Sequence, residues 1–583
     1  MNPSQETTST VAEDTRPWYK LLTKYHWFVL IVCTMGWAFD TFDQQLFNIA
    51  RQPAVQSLLQ SPTKDAVSFY AGLSTSLMLI GWATGGIIFG ILGDRWGRAR
   101  TMVLTILGYS LFTGLSAFSV TIWDFLAYRF IAGLGIGGQF GLGAALVAET
   151  LPDRARPRAL GMLQAFSAFG NMAAGLIGLV LAQMLLAGAI DVKPWRLMFG
   201  VGILPAFLAV LVMMRLQEPE RWKQSVGTQE GDGKKQKAGS IAELFGDPRW
   251  RKNVLVGITI AAAGVIGLWG IGFFSIDLNQ SIFRERFREE YRAQGEADED
   301  LKLVALVYRE PKAFEDLKAA EISPKHLLGE DRHDQDAALL LAAALTLDES
   351  GKPVTVEAAL DLLDAPVTGA DETPLDVFAP KREPQSQEDR ARREKLLAEQ
   401  QGDLGTVAAH VERIRKRNKD MDGRTAVWGS ITSLLFNIGA FFGIYAFSIV
   451  TTRLGRRPTF AIFFLAALVS TVIAFMFMND PIDVYWMVPL MGFCQLSVFG
   501  GYAIYFPELF PTRLRSTGTS FCYNIGRYVS AAGPALLGTL SGFVFAGTEE
   551  PMRWAGVTMC AFFLLGVLVL PLAPETKDQP LPE

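Results

Sequence analysis

Runs of about 20 apolar residues recur along this chain and constrain its fold more than any other feature. Twelve runs of this kind can be identified, six before a polar gap and six after it. Because lipid offers backbone groups no hydrogen-bond partner, such runs are predicted to be transmembrane helices. They lie at 26–49, 68–92, 101–119, 123–148, 159–187, 196–215, 253–277, 427–450, 459–478, 484–506, 517–545 and 553–573.

The spacing of these runs sets the domain organisation. The predicted fold class is an all-α membrane protein with twelve transmembrane helices in two six-helix halves and an inserted, mostly helical extramembrane segment. The predicted parts are a cytoplasmic N-terminal tail (1–25), the first six-helix half (26–215), a cytoplasmic linker (216–252), transmembrane helix 7 (253–277), an extracytoplasmic helical insertion (278–425), transmembrane helices 8–12 (426–573) and a cytoplasmic C-terminal tail (574–583).

Arginine and lysine are concentrated in alternate loops, and this predicts the orientation of the bundle. The basic loops include "GDRWGRAR", "ETLPDRARPR", "TTRLGRRP" and "PELFPTRLRS", whereas "SVT" is uncharged and "MNDPID" is acidic. Because cytoplasmic loops carry the excess of basic residues, we expect both termini in the cytoplasm. The expected location is the plasma membrane, in a bacterium the inner membrane.

Charge and motif content exclude several other functions. Hydrophobic residues make up 50% of the chain and charged residues 19%, with a net charge of −4, so no nucleic acid partner is expected. The four cysteines lie in apolar runs, and none has metal-ligand spacing. The sequence holds no nucleophile elbow, zinc motif or phosphate loop, so we expect no enzyme activity, metal or cofactor.

The two halves of the chain repeat each other. "ETLPDRAR" at 149–156 matches "ELFPTRLR" at 508–515, 359 residues further on, and "DRWGR" at 94–98 matches "TRLGR" at 452–456, 358 residues further on. "PER" at 219–221 matches "PET" at 574–576 with an offset of 355. Nearly equal offsets indicate a duplicated six-helix unit, which predicts a substrate path between the two halves.

The segment "GILGDRWGRAR" (90–100) resembles the signature of the major facilitator superfamily, and the repeated Glu-x6-Arg and Pro-Glu elements resemble its sugar-porter branch. The resemblance implies alternating access through a charged gate at the cytoplasmic face. The predicted gate residues are Asp94, Arg95, Gly97, Arg98, Glu149, Arg154, Arg156, Glu220, Arg453, Arg456, Glu508, Arg513, Arg515 and Glu575.

Two aspartates stand in the first apolar run, in "GWAFDTFDQQLFNIAR" (36–51). Asp40 and Asp43 are one helical turn apart, and a carboxylate at mid-bilayer costs roughly 2.5–3.5 kcal/mol. Mutual repulsion and the low dielectric disfavour double ionisation, so the pair is predicted to hold a proton. Resemblance to sugar and organic-acid proton symporters implies that Asp40 and Asp43 couple protons and that Arg129, in the fourth run, is the partner of Asp40.

Other polar or amphipathic residues within the runs are candidate substrate contacts, although hydrogen bonding between helices is the ordinary role of such residues. The seventh run, "GITIAAAGVIGLWGIGFF", lacks the paired glutamines of hexose porters, which favours organic or sugar acids. The candidates are Gln139, Gln164, Asn171, Trp269, Asn437, Gln495, Tyr502, Asn524 and Arg527.

The inserted segment reads as a small helical outer domain. Helices with charged faces are predicted at 298–321, 336–347 and 386–420, with a linker at 369–385. His326 and His333 lie near acidic residues without recognised metal spacing, so solvated side chains are expected. The segment is predicted to modulate substrate access or bind a partner that the sequence does not identify.

These observations predict a secondary transporter that carries a sugar acid or other small organic anion with protons. Its partners are the substrate, protons and the lipid bilayer. The alternatives are a neutral sugar symporter, an efflux antiporter and a nutrient sensor derived from a carrier. Intact gate motifs in both halves and carboxylates in the membrane argue against a sensor.

Overall fold

The computed structural model describes most of the chain as helices joined by short connections. The described residues are 16–59, 64–186, 194–207, 215–227, 238–268, 274–323, 403–530 and 550–582, with short pieces between 326 and 345 and between 536 and 548. No strand occurs within these ranges. The helices of the first half of the chain are α1 (Lys24–Leu58), α2 (Lys64–Trp96), α3 (Arg98–Ser116), α4 (Ile122–Thr150), α5 (Arg156–Ala165), α6 (Ser167–Leu186) and α7 (Pro194–Val201).

The remaining helices follow the linker. They are α8 (Glu220–Gly227), α9 (Ile241–Gly246), α10 (Pro248–Gly267), α11 (Phe274–Ala293), α12 (Glu296–Arg309), α13 (Pro311–Ala319), α14 (Val407–Leu454), α15 (Arg456–Phe477), α16 (Pro481–Glu508), α17 (Arg515–Ser530), α18 (Pro551–Met559) and α19 (Ala561–Val569).

Seven helices in the described ranges are long and apolar enough to cross a membrane. These stretches are Phe69–Trp96, Ile122–Thr150, Arg156–Leu181, Val407–Leu454, Arg456–Phe477, Pro481–Glu508 and Arg553–Leu572, and a shorter apolar helix covers Trp195–Phe207. The chain is therefore an integral membrane protein. The 35-residue α1, which carries the two aspartates, is not among the seven.

Small residues allow α2 and α4 to approach each other closely. A Cβ atom added to Gly85 would lie 1.9 Å from the carbonyl oxygen of Leu134, and one added to Gly137 would lie 2.0 Å from that of Trp82. Membrane helices use glycine at such crossings because it lets backbones come into van der Waals contact. The glycine-rich sequence of the fourth run thus serves packing.

Two helices in corresponding places begin in the same unusual way. Gly97 precedes α3 with φ of 111°, and Gly455 precedes α15 with φ of 98°. Residues with a side chain rarely adopt such values, so each motif needs glycine at this point. The sequence duplication thus extends to the backbone conformation at these two helix starts.

The chain divides into two units, and the second comprises Asn279–Gly429. Its described part has its own hydrophobic core, which includes Leu303, Leu306, Leu317 and Ile414. A helix predicted over 298–321 is in fact two, α12 and α13, because Pro311 lacks an amide donor and starts a new helix.

Charged side chains are also packed inside the second unit. Arg417 lies 3.1 Å from Asp300, and Arg413 lies 2.6 Å from the same carboxylate. Arg417 and Asp300 are each only 2% exposed, so this ion pair is part of the packed interior. His326 bonds Ser323, and no metal-binding group occurs among the residues that the structure describes.

The third helix predicted for the insertion differs from the structure. The helix that contains its C-terminal part runs without a break from Val407 to Leu454, whereas we predicted a boundary near 425. No proline interrupts these residues, so hydrogen bonding along the helix continues into the apolar run. The predicted linker at 369–385, His333 and Trp269 lie outside the described residues.

Candidate functional site

Asp40 and Asp43 lie one turn apart on α1, and both side chains are fully buried. α1 packs against α4 and α6, so the two carboxyl groups face the interior of the first unit. Within the described part of the chain, none of their four oxygens makes a hydrogen bond. Buried carboxyls of this kind are costly in a membrane and mark functional sites by default.

Arg129 on α4 lies closer to Asp43 than our prediction implied. Its Nη1 is 4.0 Å from Asp43 Oδ2, whereas we predicted a pair with Asp40. The same guanidinium donates from Nε and Nη2 to Ser116 Oγ, at 3.0 and 2.7 Å, and lies 4.7 Å from the Phe199 ring. Arg129 is thus fixed by α3 and α7 in a position that reaches the second aspartate of the pair.

Asp40 faces a different set of residues. Tyr109 of α3 and Arg527 of α17 lie near it. Arg527 was predicted as a substrate contact, not as the counter-charge of Asp40. An arginine thus lies near each aspartate, Arg129 from the first half of the sequence and Arg527 from the second.

Aromatic rings frame Arg527. Its guanidinium lies 3.9 Å from the Trp82 ring centroid and 4.3 Å from the Tyr523 ring centroid. It also donates from Nη1 to Asn524 Oδ1 at 3.0 Å. Sequence reasoning missed both rings, because an aromatic residue in an apolar run looks like ordinary core until a cation is found against it.

The other predicted contacts have varied surroundings. Several bond only within the protein: Asn171 donates to Asn437 Oδ1 at 3.0 Å, Tyr502 to the Ile260 carbonyl at 2.8 Å, and Asn524 to the Ser520 carbonyl at 2.8 Å. These bonds match the ordinary role of polar residues between membrane helices.

Three glutamines from the predicted set are buried with one amide atom that has no hydrogen-bond partner among the described residues. These atoms are Gln139 Nε2, Gln164 Oε1 and Gln495 Oε1. The opposite amide atoms of two of them are bonded, since Gln139 accepts from Thr105 at 2.9 Å and Gln495 donates to Thr471 at 2.7 Å. Half-bonded amides leave hydrogen-bonding capacity inside the bundle.

Some of the predicted gate residues meet in one place, the first charge cluster, formed by Asp94, Arg98, Glu149 and Arg515. Arg98 Nη2 lies 2.9 Å from Asp94 and 2.9 Å from Glu149, and Arg515 Nη1 lies 3.0 Å from Glu149. Asp94 also accepts from the Thr517 amide at 2.8 Å and its hydroxyl at 2.6 Å. The cluster therefore joins α2 and α4 to α17.

The second charge cluster consists of Arg456, Glu508 and Thr576, in positions that correspond to the first. Arg456 donates to both oxygens of Glu508, at 3.0 and 2.9 Å, whereas Arg98 donates to one oxygen of Glu149, at 2.9 Å. Thr576 donates to Glu508 at 2.6 Å. The pairing of these motifs in sequence is thus matched by ion pairs between corresponding residues.

A further pair of contacts repeats. Arg156 Nε donates to the Ala148 carbonyl at 2.9 Å, and Arg515 Nε donates to the Pro507 carbonyl at 3.1 Å. Each donor and acceptor is separated from its counterpart by 359 residues. Arg156 also pairs with Asp153. In both halves, therefore, the arginine at the corresponding position donates to the carbonyl at the corresponding position.

In each half, a glutamate of the Pro-Glu region accepts hydrogen bonds from backbone amides at the start of another helix. In the first half, this glutamate lies two residues before the predicted one. Glu575 accepts from the amides of residues 456 and 457. Its counterpart is Glu218, which accepts from the amides of residues 98–100 at 2.7–3.2 Å, whereas the predicted Glu220 is exposed and pairs with Lys223. The offset from Glu218 to Glu575 is 357, which is closer to the offsets of the other motifs.

The carboxyl of Glu575 illustrates the electrostatics of this cap. Burial alone would raise its pKa, but the backbone N–H groups of Arg456, Arg457 and Lys577 hold that pKa below its usual value. The ionised carboxylate is therefore stabilised at the start of α15, where the N–H groups of the helix point at it.

The remaining predicted gate residues take little part in the clusters. Arg95, Arg154 and Arg453 are exposed, and Arg95 donates to the Ala238 carbonyl at 3.1 Å. Arg513 pairs with Glu243 of the linker at 2.7 Å. Motif spacing alone does not separate these arginines from those that are buried.

Replacement of Glu218 by Gln tests the corrected register. The variant keeps one acceptor but loses the charge at the start of α3, so we expect a loss of about 1 kcal/mol of stability. Glu220→Gln is the matched control and should change nothing, since its carboxylate is exposed. Thermal unfolding of the purified proteins measures both, and equal losses would refute the assignment.

Known proteins resemble this chain in sequence and in fold. Residues 27–287 match the family model of the Major Facilitator Superfamily. The fold also matches that of the proton:xylose symporter XylE with a TM-score of 0.57, over 96% of this chain and 98% of that one, at 14% identity. The family model covers 261 of the 583 residues, and the shared fold extends over nearly the whole chain.

Two relatives extend the comparison. A Haemophilus influenzae protein named for metabolite transport is 26% identical over 89% of this chain and 90% of its own length. A Cupriavidus pinatubonensis protein named "Probable 4-methylmuconolactone transporter" is 36% identical over 36% of this chain. The chain spans only 47% of the length of that second relative.

Proposed function

We propose that this chain is a member of the major facilitator superfamily, a transporter and not an enzyme, and that it is a proton-coupled symporter of a sugar acid or other small organic anion. It works by alternating access, with Asp40 as the main proton site and Asp43 as its coupled neighbour. The observation that carries the proposal is the pair of fully buried carboxyls on α1, with no hydrogen bond to the described residues and an arginine assigned to each.

An anionic substrate is favoured by the charges that surround the aspartates. Two buried arginines, Arg129 and Arg527, lie near the two carboxyls, and protonation of an aspartate removes a negative charge from their surroundings. A substrate carboxylate restores the balance. The Cupriavidus relative, named for a small carboxylate, supports this class of substrate.

The proposed architecture is twelve transmembrane helices in two six-helix halves, with both termini in the cytoplasm and residues 278–425 outside. Corresponding ion pairs at Arg98 and Arg456 support the two halves. The first and second charge clusters then form the cytoplasmic gate, and the bonds from Glu149 and Asp94 to α17 support this role.

Uptake by purified protein in liposomes tests the proposal. We expect radiolabelled organic acids to accumulate when the outside is made acidic, and a protonophore should abolish the accumulation. A neutral sugar is the second candidate substrate, since the matching fold belongs to a xylose symporter. Accumulation of xylose or glucose but of no acid would replace the proposed substrate class, and uptake that ignores the pH gradient would refute coupling.

A further inference from the structure

We infer that Arg196 is a positioning residue of the proton site: it holds the end of α3, and through that end it keeps Arg129 beside Asp43. The inference rests on the proposed function and assigns a further residue to the same site. Arg196 lies in the first turn of α7 and is not among the residues that the sequence pointed to.

Arg196 caps the end of α3. The last carbonyls of a helix have no partner within it, so a cation that donates to them stabilises the helix end. Arg196 donates from Nη1 to the Ala117 carbonyl and from Nη2 to the Ser119 carbonyl, the latter at 3.0 Å. Its guanidinium is itself held against the Trp195 ring, 4.3 Å from the centroid. The end of α3 is therefore fixed by a side chain from α7.

The same end of α3 anchors Arg129. Ser116 is the last residue of α3, and its hydroxyl accepts from Nε and Nη2 of Arg129 at 3.0 and 2.7 Å. Ala117, which Arg196 holds, is the next residue in the chain. A shift of this helix end therefore moves the atom that fixes Arg129, whose Nη1 lies 4.0 Å from Asp43.

The helix that carries Arg196 also contacts the two charged residues. Phe199, three residues further along α7, lies with its ring 4.7 Å from the Arg129 guanidinium. Gly202 lies just past the end of α7, where an added Cβ atom would be 3.3 Å from Asp43 Oδ1. One short helix thus contacts the end of α3, the arginine and the aspartate.

The second half of the chain has the same cap. Arg553 lies in the first turn of α18, and it donates to the carbonyls of Phe475 and Met478 at the end of α15, both at 2.9 Å. Arg196 and Arg553 are 357 residues apart, an offset close to those of the other repeated motifs. The cap alone is thus part of the duplicated fold.

The second half differs at the position of the buried arginine. Asp124 and Asp483 each form part of a capping box, at the starts of α4 and α16, and are 359 residues apart. In this register the counterpart of Arg129 is Val488. Arg553 therefore makes the same kind of cap in a half that has a valine at this position, and it provides a matched control.

Loss of the Arg196 cap is expected to loosen the link between proton and substrate. The charged and titratable groups near Asp43 are Asp40 on its own helix, Tyr109 of α3 and Arg129 of α4. The interaction of two charges depends on their separation, and most steeply where the dielectric is low. When Arg129 is no longer held at one distance, the aspartate pair releases its proton at variable points of the cycle. Some substrate then crosses without a proton.

Transport by the full-length protein in liposomes tests the assignment. The labelled probe is benzoate, or the acid that the wild-type protein accumulates best. Accumulation under a gradient of one pH unit measures coupling, and exchange without a gradient measures translocation. Full coupling of one proton gives roughly tenfold accumulation, and we expect Arg196→Gln to reach about threefold or less. Its exchange, per folded protein, should stay near the wild-type rate.

Two further variants separate positioning from simple stabilisation. Arg553→Gln removes the matching cap, so it should lose stability as Arg196→Gln does but keep the wild-type ratio of accumulation to exchange. A merely structural role would lower accumulation and exchange together. Ser116→Ala removes the anchor and leaves the cap, so it should lower the ratio as Arg196→Gln does. The double variant should be no worse than either single one, because both act on the same anchor.

Three results would overturn the inference: an unchanged ratio in a folded Arg196→Gln or Ser116→Ala protein, an equal fall of the ratio in Arg553→Gln, or effects of the first two substitutions that add. Each leaves the proposed function standing as long as the wild-type protein accumulates an acid under the pH gradient. If the wild-type protein accumulates no acid, the proposed function fails, and the role of Arg196 fails with it.

Discussion

Asp40→Asn is expected to abolish accumulation of substrate under a pH gradient. One proton moved down one pH unit yields about 1.4 kcal/mol, enough for roughly tenfold accumulation. The amide cannot exchange a proton in this range, so the variant should only equilibrate its substrate. The amide is nearly isosteric with the protonated acid, and Asp40 makes no hydrogen bond to the described residues, so the fold should survive.

Two measurements distinguish loss of coupling from loss of transport. Uptake of labelled substrate against an imposed pH gradient measures coupling, and exchange against unlabelled substrate, with no gradient, measures substrate translocation. We expect Asp40→Asn to lose the first and retain the second. Continued accumulation in a variant that folds normally would remove Asp40 as the proton site.

Asp43→Asn is the companion variant. Asp43 is the carboxylate nearest to the buried Arg129, at 4.0 Å, so its loss leaves a charge without an acid partner. Such a change is costly inside a protein. We therefore expect Asp43→Asn to lower stability more than Asp40→Asn does. Thermal unfolding of both variants checks this order.

Glu149→Gln is expected to have the largest effect on stability of any substitution considered. Glu149 is the carboxylate between Arg98 and Arg515, both fully buried. Arg98 keeps Asp94, but Arg515 has no other carboxylate within the described residues. Removal of one partner from a buried ion pair typically costs about 3–5 kcal/mol, and the loss here should lie in that range.

Glu508→Gln supplies the matched control from the second charge cluster. Glu508 serves one arginine, Arg456, which also has the Glu575 carboxylate nearby, so the expected loss is smaller. All four cysteines are buried, so a thiol-reactive fluorogenic dye reports unfolding on heating. An equal or smaller loss in Glu149→Gln would contradict the view that its cluster holds α17 against α2 and α4.

Sequence alone anticipated the helical fold, because a membrane leaves an apolar run no other way to satisfy its backbone. It also anticipated which motifs correspond, since Arg98 pairs with Glu149 and Arg456 pairs with Glu508 at the matching positions. The Pro-Glu register was wrong by two residues. Glu218 and Glu220 both follow the first half, and only the position of the α3 amides decides which of them caps the helix.

The spacing of residues in the sequence could not show which arginine lies near which aspartate. Asp40 and Asp43 share one face of α1, and small differences in helix packing decide which of them each arginine reaches. Arg129 is directed to Asp43 by Ser116 and Phe199, residues that carry no signal in the sequence. The rings around Arg527 were missed for the same reason, since Trp82 and Tyr523 are 441 residues apart.

Simultaneous measurement of proton and substrate movement tests the central claim most directly. Benzoate, or another acid found by the uptake screen, is added to weakly buffered proteoliposomes while external pH and labelled uptake are recorded together. The account predicts alkalinisation of the medium that begins with uptake, scales with it, and is absent in Asp40→Asn. Uptake of the acid by the wild-type protein without any proton movement beyond that of protein-free liposomes would contradict it.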